Sequence, residues 1–165
     1  MKKLSYLFTA AVLSLLLVSV GCDSGGGEGT SAVDQVGNNF TGTWGVDATV
    51  ANSVTFGSED RTDDYSAFTL TVNYTAGQDG GTASISGGPT GLRPFLATDN
   101  WTFSPVPTDG ATTNFNIVRT SDSANITVSN FSATGLTLSF TLASGGSVSK
   151  TEAVEGSWNF NLVKQ

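Results

Sequence analysis

The chain has 165 residues, with 7 Lys and Arg against 14 Asp and Glu, one Cys and no His; charged residues make up 13% of it, about half the usual ~25% share. The length suits a single domain. The missing His excludes a His-based triad and His-ligated metals, the lone Cys excludes an intrachain disulfide or a thiolate zinc site, and a net charge of -7 argues against nucleic acid as a partner.

Met1-Lys2-Lys3 is a short basic start, residues 4–20 are almost wholly apolar around Leu13, Leu15, Leu16, Leu17 and Val18, and the run ends at Gly21-Cys22. A charged start, an apolar middle and a small residue before the cut describe a secretory leader over 1–21. Ser19-Val20-Gly21-Cys22 resembles the bacterial lipoprotein processing box, which implies cleavage before Cys22 and lipidation of that residue. A membrane-spanning helix needs about 20 apolar residues, and Ser5, Thr9, Ser14 and Ser19 interrupt this run. An ordinary soluble export would leave Cys22 as a lone thiol. Residues 22–37 then read as the lipidated Cys and a Gly/Ser-rich linker, Asp23-Ser24-Gly25-Gly26-Gly27-Glu28-Gly29, a composition that behaves as flexible coil. The expectation is an exported protein anchored to the bacterial cell envelope, with the outer membrane favoured. Removal of Lys2 and Lys3 leaves five basic residues against the 14 acids, a balance of about -9. No polybasic patch remains to grip anionic lipid, so the acyl anchor is the membrane contact.

Residues 38–165 alternate apolar and hydroxyl-bearing side chains. Phe68, Leu70, Val72 and Tyr74 alternate with Thr69, Thr71 and Asn73; Leu136, Leu138, Phe140 and Leu142 with Thr137, Ser139 and Thr141; Trp158, Phe160 and Leu162 with Asn159 and Asn161. Successive side chains of a strand point to opposite faces, so each run offers a core face and a wet face. Turn signals at Asp79-Gly80-Gly81, Asp109-Gly110, Ala133-Thr134-Gly135 and Ser144-Gly145-Gly146 separate them. Strands are expected near 40–50, 53–57, 66–76, 82–87, 95–104, 112–120, 124–131, 135–143 and 155–164, with no helical spacing after the leader. The fold class is all-β: an antiparallel up-and-down barrel or a flattened sandwich of about eight strands. Gly42-Thr43-Trp44 and Gly156-Ser157-Trp158 echo each other at the two ends of the domain, and are expected to meet at a barrel seam, where first and last strands must pair to remove free edges.

Gly42-Thr43-Trp44 near the start of the domain, Trp101-Thr102-Phe103, Leu136 to Phe140 and the terminal Gly156 to Leu162 strand together resemble small bacterial lipoproteins with a lipocalin-like barrel. The resemblance implies a closed barrel that binds a small apolar molecule inside.

Among candidate sites, Trp44 and Trp158 read as core. Trp101, after Asp99-Asn100 in a Pro-flanked stretch, is either core or ligand-binding. Glu59-Asp60-Arg61-Thr62-Asp63-Asp64 is the densest charge cluster, but its spacing is not that of a calcium loop and it reads as a solvated acidic loop. No residue set makes a metal or cofactor site. Adjacent Ser149-Lys150 point apart on a strand, and general-base chemistry has few candidates without His, so no catalytic residue is assigned. The five Asn-x-Ser/Thr triplets, at Asn39, Asn73, Asn100, Asn125 and Asn130, follow from composition, while Asp122-Ser123-Ala124 resembles an O-glycosylation tripeptide of bacterial exported proteins. The leading expectation is a non-enzymatic, lipid-anchored envelope protein binding a small apolar ligand. The alternatives are a surface glycan-binding or adhesion module, which needs exposed aromatics such as Trp101 with Tyr65 or Tyr74, and an accessory subunit of an envelope complex, which needs an exposed apolar patch.

Overall fold

The alternating runs become strands whose apolar faces converge on one interior. A computed structural model describes residues 30–89, 94–143 and 154–165. Its elements are helix α1 (Ala32–Phe40), β1 (Gly42–Val46), β2 (Val54–Phe56), β3 (Glu59–Asp60), a 3-10 turn (Asp63–Tyr65), β4 (Thr69–Tyr74), β5 (Gly80–Ser86), β6 (Thr98–Phe103), β7 (Phe115–Arg119), β8 (Asn125–Ser129), β9 (Gly135–Leu142) and β10 (Gly156–Lys164). The strands β1 and β4 to β10 pair antiparallel with their sheet neighbours, and β10 returns to β1, closing an eight-stranded barrel. Of the two architectures open to the sequence, this is the barrel.

The closing pair is a composite. Val46 of β1 lies opposite Leu162, and Val54 of β2 lies opposite Phe160. Ser53 accepts from the Asn161 amide between them at 2.7 Å. Thus β1 and β2 line one edge of β10, interrupted by the excursion 47–53. The short β3 hangs from β2 as an outer hairpin.

The helix corrects one expectation, that no helical spacing follows residue 22: Val33, Val36 and Phe40 form a helical stripe, on a helix whose residues 32–37 read as linker in the sequence. It spans nine residues broken by Gly37 and two Asn, too short a window for its period to stand out. Ser31 caps it: its hydroxyl accepts from the Asp34 amide at 3.1 Å and donates to Asp34 Oδ2 at 2.6 Å, a reciprocal arrangement akin to a capping box. Asp34 Oδ1 also accepts from Tyr74 Oη at 2.7 Å and from the Gly77 amide at 2.9 Å, tying the helix to the β4–β5 hairpin.

With α1 and the start of β1 at the lower end, strand direction puts the β4–β5, β6–β7 and β8–β9 connections there as well. The β5–β6, β7–β8 and β9–β10 connections lie at the upper end. Phe40 enters the lower end, with ring centroids 5.3 Å from Trp101, 5.4 Å from Phe115 and 6.1 Å from Phe131, all edge to face, the arrangement the ring quadrupole favours. The interior is otherwise filled by Leu, Ile, Val and aromatic side chains from every barrel strand.

Candidate functional site

The Gly-x-Trp echo is a structural repeat, but not a meeting of the two motifs. Gly42 and Gly156 have φ of +143° and +145°, a region side-chain-bearing residues rarely adopt. The indole two residues on then turns back in both cases: Trp44 Nε1 donates to Phe40 O and Trp158 Nε1 to Val154 O, each at 3.0 Å. The seam itself pairs Trp44 with Lys164, while Trp158 pairs with Phe56 of β2, higher on β10. The motifs therefore sit at opposite ends of the closing pair. The reason is antiparallel geometry: the start of β1 must face the end of β10, not its start.

All three Trp are buried. Trp101 points inward from β6, donates through Nε1 to Thr82 O at 3.2 Å and packs edge-on to Phe103 at 5.1 Å. It is no exposed stacking platform. It does line an apolar cavity of about 40 Å³ beneath the upper mouth, bounded also by Leu70, Ile85, Phe95, Arg119 and Ile126. Small-molecule pockets run from about 300 Å³ upward, so the barrel as folded has no room for one.

Arg119 is the unexpected group at this mouth. It stands in phase with Phe115 and Ile117 on β7 and therefore points inward. Nε and Nη2 donate to Asp122 Oδ1 at 3.1 Å and Oδ2 at 2.5 Å, and the two side chains are only 5% and 3% exposed. Nη1 donates to Pro94 O at 2.5 Å. The guanidinium carbon lies 5.6 Å from the Phe95 ring centre and 5.7 Å from that of Phe140, within cation–π range. The signal was present in the sequence: a charge occupying the apolar phase of a strand, with an acid three residues on in the hairpin. Beside it Asp99, inward on β6, accepts from Ser121 Oγ, from the Ser121 amide at 3.3 Å and from the Asn100 amide at 2.8 Å, so its oxygens brace the β7–β8 hairpin.

The acidic stretch is likewise internally bonded. Arg61 lies 2.8 Å from Glu59 and 3.3 Å from Asp64. Asp60 accepts from the Thr62 hydroxyl at 2.6 Å, the Thr62 amide at 2.9 Å and the Asn52 amide at 3.0 Å, and these bonds, led by the Thr62 hydroxyl, hold its carboxyl below the usual carboxylate range. Among the described residues no three metal-ligating side chains gather. Ser123 is exposed at the β7–β8 hairpin tip with φ +58°. Cys22 lies outside the described residues.

The outer wall is uniform. Outward positions of the eight barrel strands carry Thr, Ser and Asn with a few Gly and Val, and no charge. Several join across strands: Thr127 Oγ1 to Asn116 at 2.9 Å, Thr137 Oγ1 to Asn161 at 2.9 Å, Ser139 Oγ to Asn159 at 3.1 Å, and Thr69 with Ser86 at 2.6 Å. A membrane-spanning barrel turns an apolar band outward; this wall is made to face water. Among the described residues the exposed large apolar side chains are Val50 and Val106, on separate loops, and two isolated side chains do not make a docking patch.

No protein-family model matches the chain, and no curated protein is significantly similar to it.

Proposed function

We propose that the chain is an exported, non-enzymatic lipoprotein held to a membrane of the bacterial envelope through Cys22, and that the upper mouth of its barrel is the binding site for a small, largely apolar molecule. What supports the binding half is the apolar lining beneath the mouth with one buried, ion-paired cation on its rim; the space of about 40 Å³ there has to enlarge to take a ligand. Apolar lining with a few placed polar groups is the usual make-up of a small-molecule site. The anchoring half rests on the basic start, the apolar run and Gly21-Cys22. The chain enters the barrel through Ser31 at the lower end, the end opposite the mouth. Cys22→Ala followed by membrane fractionation tests the anchor: release into the soluble fraction is expected, and a normally processed protein that stays with the membrane refutes lipidation. Mass spectrometry of organic extracts from the natively purified protein tests the binding. A co-purifying apolar compound, absent from a mock purification, is expected; extracts identical to the mock count against a resident ligand.

A second reading, a surface module for neutral glycans, has the uncharged hydroxyl and amide wall in its favour. The burial of Trp44, Trp101 and Trp158 removes the stacking platform it relied on. Retention on insoluble neutral polysaccharide, lost in an Asn159→Lys, Ser139→Lys variant, is its test.

A further inference from the structure

Phe95 reaches the core from the connection between β5 and β6 rather than from a strand. Its ring lies 5.1 Å from Phe140, 5.3 Å from Phe160 and 5.7 Å from Phe68. Two cavities meet at this ring. One is the apolar space of about 40 Å³ inside the barrel, and the other, of about 110 Å³, lies toward the connection beside Tyr65, Gly88 and Pro94. Both are bounded by Phe95 and Ile85. The Phe95 ring and Ile85 thus stand between the two spaces, and departure of the ring would enlarge the inner one by the ring's own volume.

What holds the ring is separable from what shapes the site. Arg119 is fixed by its two bonds to Asp122, independently of Pro94. Should Pro94 and Phe95 withdraw, Arg119 keeps its aim while Nη1 loses its acceptor, and a buried N–H without a partner is costly. The connection starts at Gly87 and Gly88, with φ of +70° and +83°. A Cβ at Gly87 would sit 2.0 Å from Ala67 O, so the chain turns there by a route that requires glycine.

We infer that Phe95 and the Pro94 carbonyl are a built-in occupant of the mouth site, and that the site accepts molecules of the same chemistry: a phenyl-sized apolar group about four bonds from a carbonyl carbon, whose oxygen takes Arg119 Nη1. This rests on reading the mouth as a binding site. Because Asp122 already balances the Arg119 charge, the head group need not be an anion; an amide or ester oxygen reproduces what Pro94 supplies. The internal occupant competes with any outside ligand, so affinity in the unaltered protein is lowered by the fraction of molecules in which the mouth is filled.

The probe is N-(2-phenylethyl)acetamide, which copies the Pro94 carbonyl, the Phe95 nitrogen and the path to the ring. Its binding to a form starting at Asp23 is titrated by calorimetry and by Trp fluorescence, with n-butylbenzene as the probe lacking an acceptor and 4-phenylbutyrate as the anionic counterpart. Phe95→Ala should bind the amide at least tenfold more tightly than the unaltered protein, and more tightly than n-butylbenzene by about tenfold, the worth of a hydrogen bond to a charged donor. Phe95→Leu, which keeps an apolar side chain and serves if the alanine variant does not fold, should show a smaller gain. A preference for 4-phenylbutyrate over the amide overturns the neutral-head assignment. Equal affinity in the unaltered protein and the folded variants overturns the built-in occupant while leaving the mouth as a binding site. Failure of every folded form to bind any of the three probes overturns both.

Discussion

Phe40 offers the most direct test of how the lower end is closed. It is the last residue of α1, is fully buried, and meets Trp44, Trp101, Phe115 and Phe131 at centroid distances of 5.3 to 6.5 Å. Phe40→Ala removes the ring and nothing else of consequence, because Trp44 Nε1 donates to the Phe40 backbone oxygen, which alanine retains. Truncating a buried Phe costs about 3–5 kcal/mol. With an unfolding entropy of roughly 0.27 kcal/mol/K for a domain of this size, a loss of ~4 kcal/mol lowers Tm by roughly 15 °C. Urea unfolding followed by Trp fluorescence and far-UV circular dichroism measures it, with Asn38→Ala, at an exposed position, as a control expected within about 0.5 kcal/mol. A nine-residue helix is not stable alone in water, so α1 exists only by packing. A loss below about 1 kcal/mol for Phe40→Ala, with an unchanged denaturant slope, would mean that α1 is not part of the cooperative unit.

Four further outcomes follow from particular residues. Arg119→Met alone should destabilise by about 3–5 kcal/mol because it strands the buried Asp122 charge, and Arg119→Met with Asp122→Asn should recover at least half of that; strictly additive losses in the double-mutant cycle would show that the pair is not coupled. Gly156→Ala, at φ +145° with Phe56 Cε2 2.7 Å from the new Cβ, should cost about 1–3 kcal/mol in backbone strain, whereas an unchanged midpoint would deny the motif its conformational role. Burial, then the Asp34 bond, pushes the Tyr74 hydroxyl up to about 12, and burial also raises Tyr65; a raised folded value contributes stability below the normal pKa of about 10 and loses it as pH climbs toward the folded value. A 295 nm titration of the form starting at Asp23 should therefore show little tyrosinate near pH 10, its appearance coinciding with loss of far-UV signal. Asp34 works at the other end of the scale: bonds from Ser31, Gly77 and Tyr74 lower its pKa, so its contribution is present above about pH 4 and fades as pH falls through the folded value, and Asp34→Asn should flatten that acid limb.

Much of the fold was legible because barrel strands advertise themselves. The runs Phe68–Tyr74, Leu136–Leu142 and Trp158–Leu162 alternate without a fault, and β4, β9 and β10 bury the residues whose phase requires it. What escaped was short or broken. Helix α1 has a stripe of three residues, β3 is two acids in a charged stretch, and the β1–β2 edge is interrupted by an excursion that splits one expected strand from the next. None of these carries enough periods to rise above composition. The seam was foreseen in principle and misplaced in register, since sequence similarity between Gly42-Thr43-Trp44 and Gly156-Ser157-Trp158 reports a shared local turn, not a shared position along the barrel.

The site was less legible for a physical reason: it depends on which side chains a closed barrel brings together. Trp101 was singled out, and it does border the cavity; Arg119 and Phe95 were not. Their contacts make the two ends of the barrel unequal. At the lower end Phe40 is carried by a capped helix, and that helix is tied to the β4–β5 hairpin through Asp34. At the upper end the Phe95 ring comes from a loop, beside Pro94, whose carbonyl accepts from Arg119, and the Ile85 amide donates to Ala97 O at 2.9 Å farther along the same connection. Arg119, in turn, has its own acid and does not depend on the loop for a partner. An end closed by a helix with several independent bonds opens less readily than one closed by a loop. If the Phe95 loop withdraws as inferred above while the sheet stays paired, the group left facing the opening is Arg119, a donor held by Asp122 in position for an oxygen acceptor.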